Sequence, residues 1–373
     1  RVAGAWRRVA MGVNDERRRR CDARPMRATT IHAPRDIRLS EVPDPTIEKP
    51  TDAIVKVTSA CICGSDLWPY RGENDITPGD TIGHECIGVV EEVGEDVRDV
   101  RPGDFVVVPF DHCDNTCAHC RAGMQSACVE LSMTSSGQGQ YARVGHADGS
   151  LVKVPGIGES GPEAALVPHL VALSDVMPTG WHAAVAAGVR KGGTTVVVGD
   201  GAVGLCGVLA AAQMGSEKVV LMSRHEPRQE IGRAFGATHV VAERGREAAA
   251  AVKEITGGVG ADAVLECVGT DQAMGTAFAV ARPGAMVGFV GVPHGVQLPV
   301  GRMFQKNVGL RGGMAPVREY LPHLLDLVLA GTIEPGRVFD LTLPLEEVAE
   351  GYRAMDERRA VKVLLDVDGS LGA

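Results

Sequence analysis

The chain has 373 residues, 45% of them hydrophobic and 4% aromatic, and a formal net charge of -9 at pH 7. That length suggests two domains, each large enough to bury a core, and the acidic balance leaves no electrostatic footprint for nucleic acid. No stretch reads as a membrane span, because the most apolar run, Val196 to Met214, is broken by Asp200 and a glycine turn.

Residues 1–25 carry Arg1, Arg7, Arg8, the run Arg17 to Arg20 and Arg24 with little apolar pattern, and a disordered extension is expected there. A strand starts at Met26 with Arg27-Ala28-Thr29-Thr30-Ile31. Strand-like runs then fill roughly 26–110, with turn signals at Pro43-Asp44-Pro45 and Pro102-Gly103-Asp104. Inside this β-rich stretch stands Cys61-Ile62-Cys63-Gly64-Ser65-Asp66, followed by Gly83-His84-Glu85. A thiolate, an imidazole and a carboxylate from separate segments are what a catalytic zinc with an open position needs. Cys61 alternates with Cys63, so it is expected to face away from the site and pack as a small hydrophobe.

Four cysteines, Cys113, Cys117, Cys120 and Cys128, crowd into sixteen residues. Cys117-x-x-Cys120 lets two thiolates reach one ion without strain, and Cys128 follows, which is the spacing of a structural zinc site. Cys113 stands one residue too far upstream for the same spacing, whereas Asp114 has it and offers an oxygen ligand, so either residue completes the set. Ten cysteines without an export signal suggest a reducing cytoplasm rather than a disulfide framework.

From Thr194 the texture changes to alternating strands and helices, the mark of a parallel sheet. The β-branched run Thr194 to Val198 leads into Gly199-Asp200-Gly201-Ala202-Val203-Gly204, and Leu205 to Ala212 continues as a helix. These glycines permit a tight turn, close approach of a pyrophosphate and close helix–strand packing, and the helix N-terminus supplies N–H donors. The second strand, Lys218 to Met222, ends in Ser223-Arg224-His225, with no acid at the position that would bond a ribose 2′-hydroxyl. An arginine there accommodates a 2′-phosphate, so NADP is favoured; Glu226 keeps NAD possible. Further strands are expected over Ala261–Gly269, Met286–Val292 and Asn307–Arg311, then a helix over Tyr320–Ala330.

Taken in this order, the motifs resemble the zinc-dependent alcohol dehydrogenases of the medium-chain dehydrogenase/reductase family, from about Met26 to the C-terminus. The resemblance implies an α/β chain in four parts: the extension 1–25, a GroES-like β-rich catalytic domain over 26–175 carrying both zinc sites, a Rossmann doubly wound sheet over 176–312, and a return to the catalytic domain over 313–373. It implies one catalytic zinc on Cys63, His84 and Asp175, the last standing where many relatives have cysteine, and one structural zinc on the cysteine loop. Glu85 resembles the glutamate that orients or transiently joins the metal, Asp66 the partner of His84, and Ser65 the hydroxyl that passes on the alcohol proton. Many relatives carry a relay histidine where this chain has Trp68. On the cofactor side the resemblance marks Thr179, the glycine loop, the late-strand residues Val268, Val290 and Val292, and Lys362, which is expected to reach the pyrophosphate. Val268, Val290 and Val292 read equally well as buried sheet valines. The substrate is expected to be a small alcohol or carbonyl compound, and the assembly a homodimer or homotetramer. Two rivals are a zinc-free quinone or enoyl reductase of the same fold and a non-catalytic NADP-binding sensor; the Cys63, His84 and Asp175 set argues against the first.

Overall fold

The computed structural model describes residues 25–372, so the arginine-rich start lies outside the described residues. Alternating short strands in the first half build two sheets. In the smaller one β1 (Met26–Ala33) pairs with β2 (Asp36–Val42) on one side and β4 (Asp80–Thr81) on the other. The larger one is ordered β10 (Val152–Lys153), β6 (Phe105–Val108), β5 (Cys86–Val93), β3 (Ala53–Cys61), β18 (Val363–Asp366), β17 (Leu341–Pro344), and β9 (Tyr141–Val144) joins β3. The last two strands come from the end of the chain, and Leu364 lies opposite Cys61 across the β18–β3 ladder. The C-terminal segment is thereby stitched against the strand that leads into Cys63.

The second half is a six-stranded, wholly parallel sheet. Its order is β13 (His239–Val241), β12 (Lys218–Met222), β11 (Thr194–Val198), β14 (Ala261–Glu266), β15 (Ala281–Phe289), β16 (Gly309–Gly312). Both faces are covered by helices, which is why β11 and β12 read as unbroken apolar runs instead of alternating. The strand order reverses beside β11, and such a switch point opens a crevice at the carboxyl ends of the strands. β15 begins five residues earlier than the sequence suggests and stops at Phe289, because the chain then leaves the sheet to run against Val268 and Gly269. β16 starts at Gly309, since Asn307 sits in a left-handed conformation (φ 52°) that closes the preceding helix, Val300–Lys306.

One apolar core runs through both halves, joining Phe105, Val107, Leu170 and Leu173 to Leu205, Val208, Leu221 and Leu265. Its tightest joint is between the helices Val176–Ala187 and Ala202–Gln213. A Cβ on Gly180 would lie 2.6 Å from the Gly207 nitrogen and 2.7 Å from the Cys206 carbonyl carbon, so the two backbones approach this closely only because residue 180 is glycine. Asp175 stands at the head of the first of these helices and Gly201 at the head of the second. Among the described residues no helix is long and apolar enough to cross a membrane.

Candidate active site and metal centres

Cys63 follows β3, His84 and Glu85 precede β5, and Asp175 caps the helix Val176–Ala187. Three separate stretches thus converge, and one ligand atom from each of these four residues lies within 4.8 Å of all the others. Cys63 Sγ is 3.6 Å from Asp175 Oδ2, and His84 Nε2 is 3.4 Å from the same oxygen. Behind them, His84 Nδ1 lies 3.4 Å from Asp66 Oδ1, and the Thr179 hydroxyl donates to Asp175 Oδ1 at 2.6 Å. Phe110 sets its ring edge-on to His84 at 6.1 Å between centroids. Ser65, half-buried, donates its N–H to Cys63 Sγ at 3.5 Å.

The electrostatics of this cluster suit a cation. Burial, reinforced by Glu85 and Asp175, pushes the Cys63 thiol up to about 11. Burial presses His84 toward its neutral form, yet Asp66 and Cys63 outweigh it and hold the imidazole well above its usual value. Burial likewise opposes ionisation of Asp175, and His84 overcomes it, so the carboxyl sits below its ordinary range. A buried thiol, an imidazole and carboxylates form a soft and hard donor set that fits zinc, whose binding would displace the thiol proton.

Two expected roles change here. Lys362 is 1% exposed and donates to Glu85 Oε1 at 2.7 Å and to the Ile62 carbonyl at 3.2 Å, so it anchors the glutamate from below and does not face a pyrophosphate. β18 enters the larger sheet beside β3 at this point, which turns residue 362 inward against Glu85. Cys61 is equally buried but does not pack as a plain hydrophobe: its thiol donates to Glu85 Oε2 at 3.1 Å. Thr179 spends its hydroxyl on Asp175, a contact that the chain's local i to i+4 spacing could have revealed.

The cysteine loop forms a second cluster, in which Asp114, Cys117, Cys120 and Cys128 bring their ligand atoms within 4.8 Å of one another. Cys113 is not in it. It packs against Cys120 and Cys128, but its thiol donates to the Gly149 carbonyl at 3.4 Å, directly after β7 (Asp111–His112), which pairs with β8 (Ser132–Met133). Burial pushes Cys113 up to about 12. Asp114 resists burial and is held well below its usual range by the N–H groups of Thr116 and Cys117. The Cys120 and Val129 N–H groups draw Cys117 down to about 7. One carboxylate and three thiol sulfurs fit a closed, four-ligand zinc site. All nine described cysteines are free of disulfides.

At the cofactor crevice, Gly199 adopts φ 117°, and a Cβ on Gly204 would stand 2.1 Å from the Gly199 carbonyl, so the turn admits no side chain there. Gly201 caps the helix Ala202–Gln213, whose first N–H groups, at Ala202, Val203 and Gly204, are left free for an anion. Val268 and Val292 are exposed at the strand ends and Val290 is half-buried, so the reading of all three as buried sheet valines fails. Arg224 is exposed and His225 caps the helix Glu226–Ala234. Ser223 is fully buried and donates to Asp200 Oδ2 at 2.7 Å, while Arg228 reaches Asp200 Oδ1 at 3.4 Å. The end of β12 is thereby tied to a carboxylate of the glycine loop. Sequence reasoning passed over both Asp200 and Arg228; the charged residue inside an otherwise small-residue loop was the available signal. Trp68 stacks on His294 with ring centroids 3.6 Å apart, joining the catalytic half to the nucleotide half.

Residues 49–156 match the alcohol dehydrogenase GroES-like domain family and residues 202–330 the zinc-binding dehydrogenase family. The chain is 33% identical to zinc-type alcohol dehydrogenase B of Aspergillus flavus over 91% of its own length and 81% of that protein's. Among solved structures it is similar to alcohol dehydrogenase TADH from Thermus sp. ATN1, at TM-score 0.83 and 32% identity, covering 92% of this chain and all of that one. A structure from Sinorhizobium meliloti 1021, solved bound to NADP, superposes at TM-score 0.76 with 25% identity over 92% of this chain and 99% of its own.

Proposed function

We propose how the work is divided in this chain, which belongs to the zinc-dependent alcohol dehydrogenases of the medium-chain dehydrogenase/reductase family. It is an oxidoreductase acting on alcohols, with zinc, a nicotinamide cofactor and a small-molecule substrate. Cys63, His84 and Asp175 hold the catalytic zinc, and Asp114, Cys117, Cys120 and Cys128 hold a structural one. Zinc in the first site supplies a Lewis acid that makes an alcohol oxygen acidic near neutral pH, or polarises a carbonyl in reverse.

The chain's own groups do the rest. Asp66 and Thr179 hold His84 and Asp175 in orientation, and Lys362 holds Glu85 in place through a buried ion pair. The Ser65 hydroxyl, half-buried two residues after Cys63, accepts the alcohol proton and passes it outward. Gly199 to Gly204 would cradle a pyrophosphate, and the exposed Val268 and Val292 would line the nicotinamide, the group that supplies hydride transfer when bound. The observation that carries this reading is the convergence of Cys63, His84, Glu85 and Asp175 from distant segments at the mouth of the crevice.

NADP is the favoured cofactor: Ser223 and Arg224 end β12, and Arg228 adds a second guanidinium beside them. One observation favours NAD instead, the Asp200 carboxylate within hydrogen-bond reach of Ser223, where a ribose 2′-hydroxyl could donate to it. Metal analysis and alcohol-dependent reduction of NADP and NAD test the reading together. Two zinc ions per chain and chelator-sensitive turnover are expected; turnover that survives complete zinc removal would sink it.

A further inference from the structure

Between the two ligand-bearing segments lies a side chain that neither the mechanism nor the family motifs use. Gln138 is fully buried, in the loop between β8 and β9. Its amide nitrogen donates to the Cys61 carbonyl and to Asp66 Oδ2, both at 3.1 Å, and its amide oxygen accepts from the Tyr352 hydroxyl at 3.1 Å. The orientation is dictated by these partners. Turning the amide over would face its oxygen to a carbonyl and a carboxylate and leave the phenol without an acceptor, a costly arrangement in a dry interior. Tyr352, fully buried on the helix Val348–Asp356, brings the C-terminal segment into the same chain of bonds.

Asp66 is where this chain meets the site. Its Oδ2 accepts from Gln138 and from the Cys63 N–H at 2.9 Å, which leaves Oδ1 turned toward His84 Nδ1. The glycine of Gly83-His84-Glu85 is part of the same construction. Gly83 has φ 98°, and a Cβ there would lie 2.3 Å from Gln138 Cγ, so the glutamine occupies the space that the missing side chain vacates.

We propose that Gln138 and Tyr352 are positioning residues for the metal ligand His84, acting through Asp66; this rests on Cys63, His84 and Asp175 being the zinc-holding set. The pair clamps one carboxylate oxygen of Asp66 so that the other stays aligned with His84 Nδ1, which holds Nε2 toward Asp175 and Cys63. Partners behind a ligating histidine typically matter by about 10–100-fold in metal affinity.

The test follows zinc release from the full-length holoenzyme to a chromophoric chelator, and the visible absorption of the cobalt-substituted enzyme. In Gln138→Leu one of the two zinc ions should bind about 10–100-fold more weakly, and the cobalt bands should shift. Tyr352→Phe, which keeps the ring packing, should move both readouts the same way by a smaller factor. It decides the matter alone if the leucine variant does not fold. A lower melting temperature with unchanged zinc release and unchanged cobalt bands in Tyr352→Phe and Gln138→Leu would overturn the inference, leaving a purely structural amide. Cys63→Ser in the same assay separates the premise: if it removes no zinc, the ligand assignment falls and the positioning role falls with it.

Discussion

The Cys63–His84–Asp175 cluster and the Asp114–Cys128 loop hold similar donor atoms but are assembled in opposite ways. The loop gathers its ligands within fifteen residues, on backbone that turns back on itself and aims N–H groups at Asp114, Cys117 and Cys128. The Cys63–His84–Asp175 cluster draws on the end of β3, the approach to β5 and the head of the helix Val176–Ala187, and Asp175 meets both Cys63 and His84 from a distant segment. Backbone N–H groups draw Cys117 down to about 7, whereas burial pushes Cys63 up to about 11 and raises Cys120 inside the loop as well. A local site can serve stability. A site assembled by the tertiary fold can leave one coordination position open to the cofactor crevice.

The largest expected break in this contrast comes from Cys63→Ser. Losing the catalytic zinc should cost several kcal/mol of transition-state stabilisation, about a thousandfold or more in kcat/KM, with an unchanged melting temperature. A variant retaining wild-type turnover would erase the distinction between the two clusters. Cys120→Ser should do the reverse, lowering the melting temperature by roughly 10 °C while the surviving folded protein keeps most of its kcat.

Asp111 sharpens the comparison from between the two sites. It is 1% exposed, neither carboxylate oxygen has a hydrogen-bond partner among the described residues, and burial pushes it up to about 7. A carboxyl whose folded pKa is raised stabilises the fold fully below its ordinary value of 3.8, and that contribution is lost as pH rises through about 7. Asp111→Asn should therefore gain about 2 kcal/mol at pH 8 and little at pH 4, read from denaturant unfolding at the two pH values. An equal shift at both would mean that the carboxyl is not ionising inside the fold. The smallest effect is expected at the far end of the crevice. Arg224→Ala should weaken NADP about tenfold, one charge-assisted hydrogen bond, with NAD nearly unchanged in kcat/KM. If the unsubstituted enzyme already prefers NAD, Asp200 is the group that reads the ribose.

Patterns local in the chain were legible in the sequence because the physics behind them is local. The β-branched run before Gly199, the glycine turn and the helix after it need only neighbouring backbone geometry, and the Cys117-x-x-Cys120 spacing needs only a short loop. The choice of Asp114 over Cys113 was open, since it turns on where the Cys113 thiol finds its partner, and in the fold that partner is the Gly149 carbonyl. Lys362 reads as a basic residue near the end of the chain. Only the return of β18 beside β3 buries it against Glu85. Asp200 meets Ser223 because two parallel strands end side by side, a proximity across twenty-three residues that no spacing rule records. Gln138 and Tyr352 are the extreme case, two ordinary polar residues 214 positions apart. A buried amide must find all its partners within reach, and only the folded chain determines which ones those are.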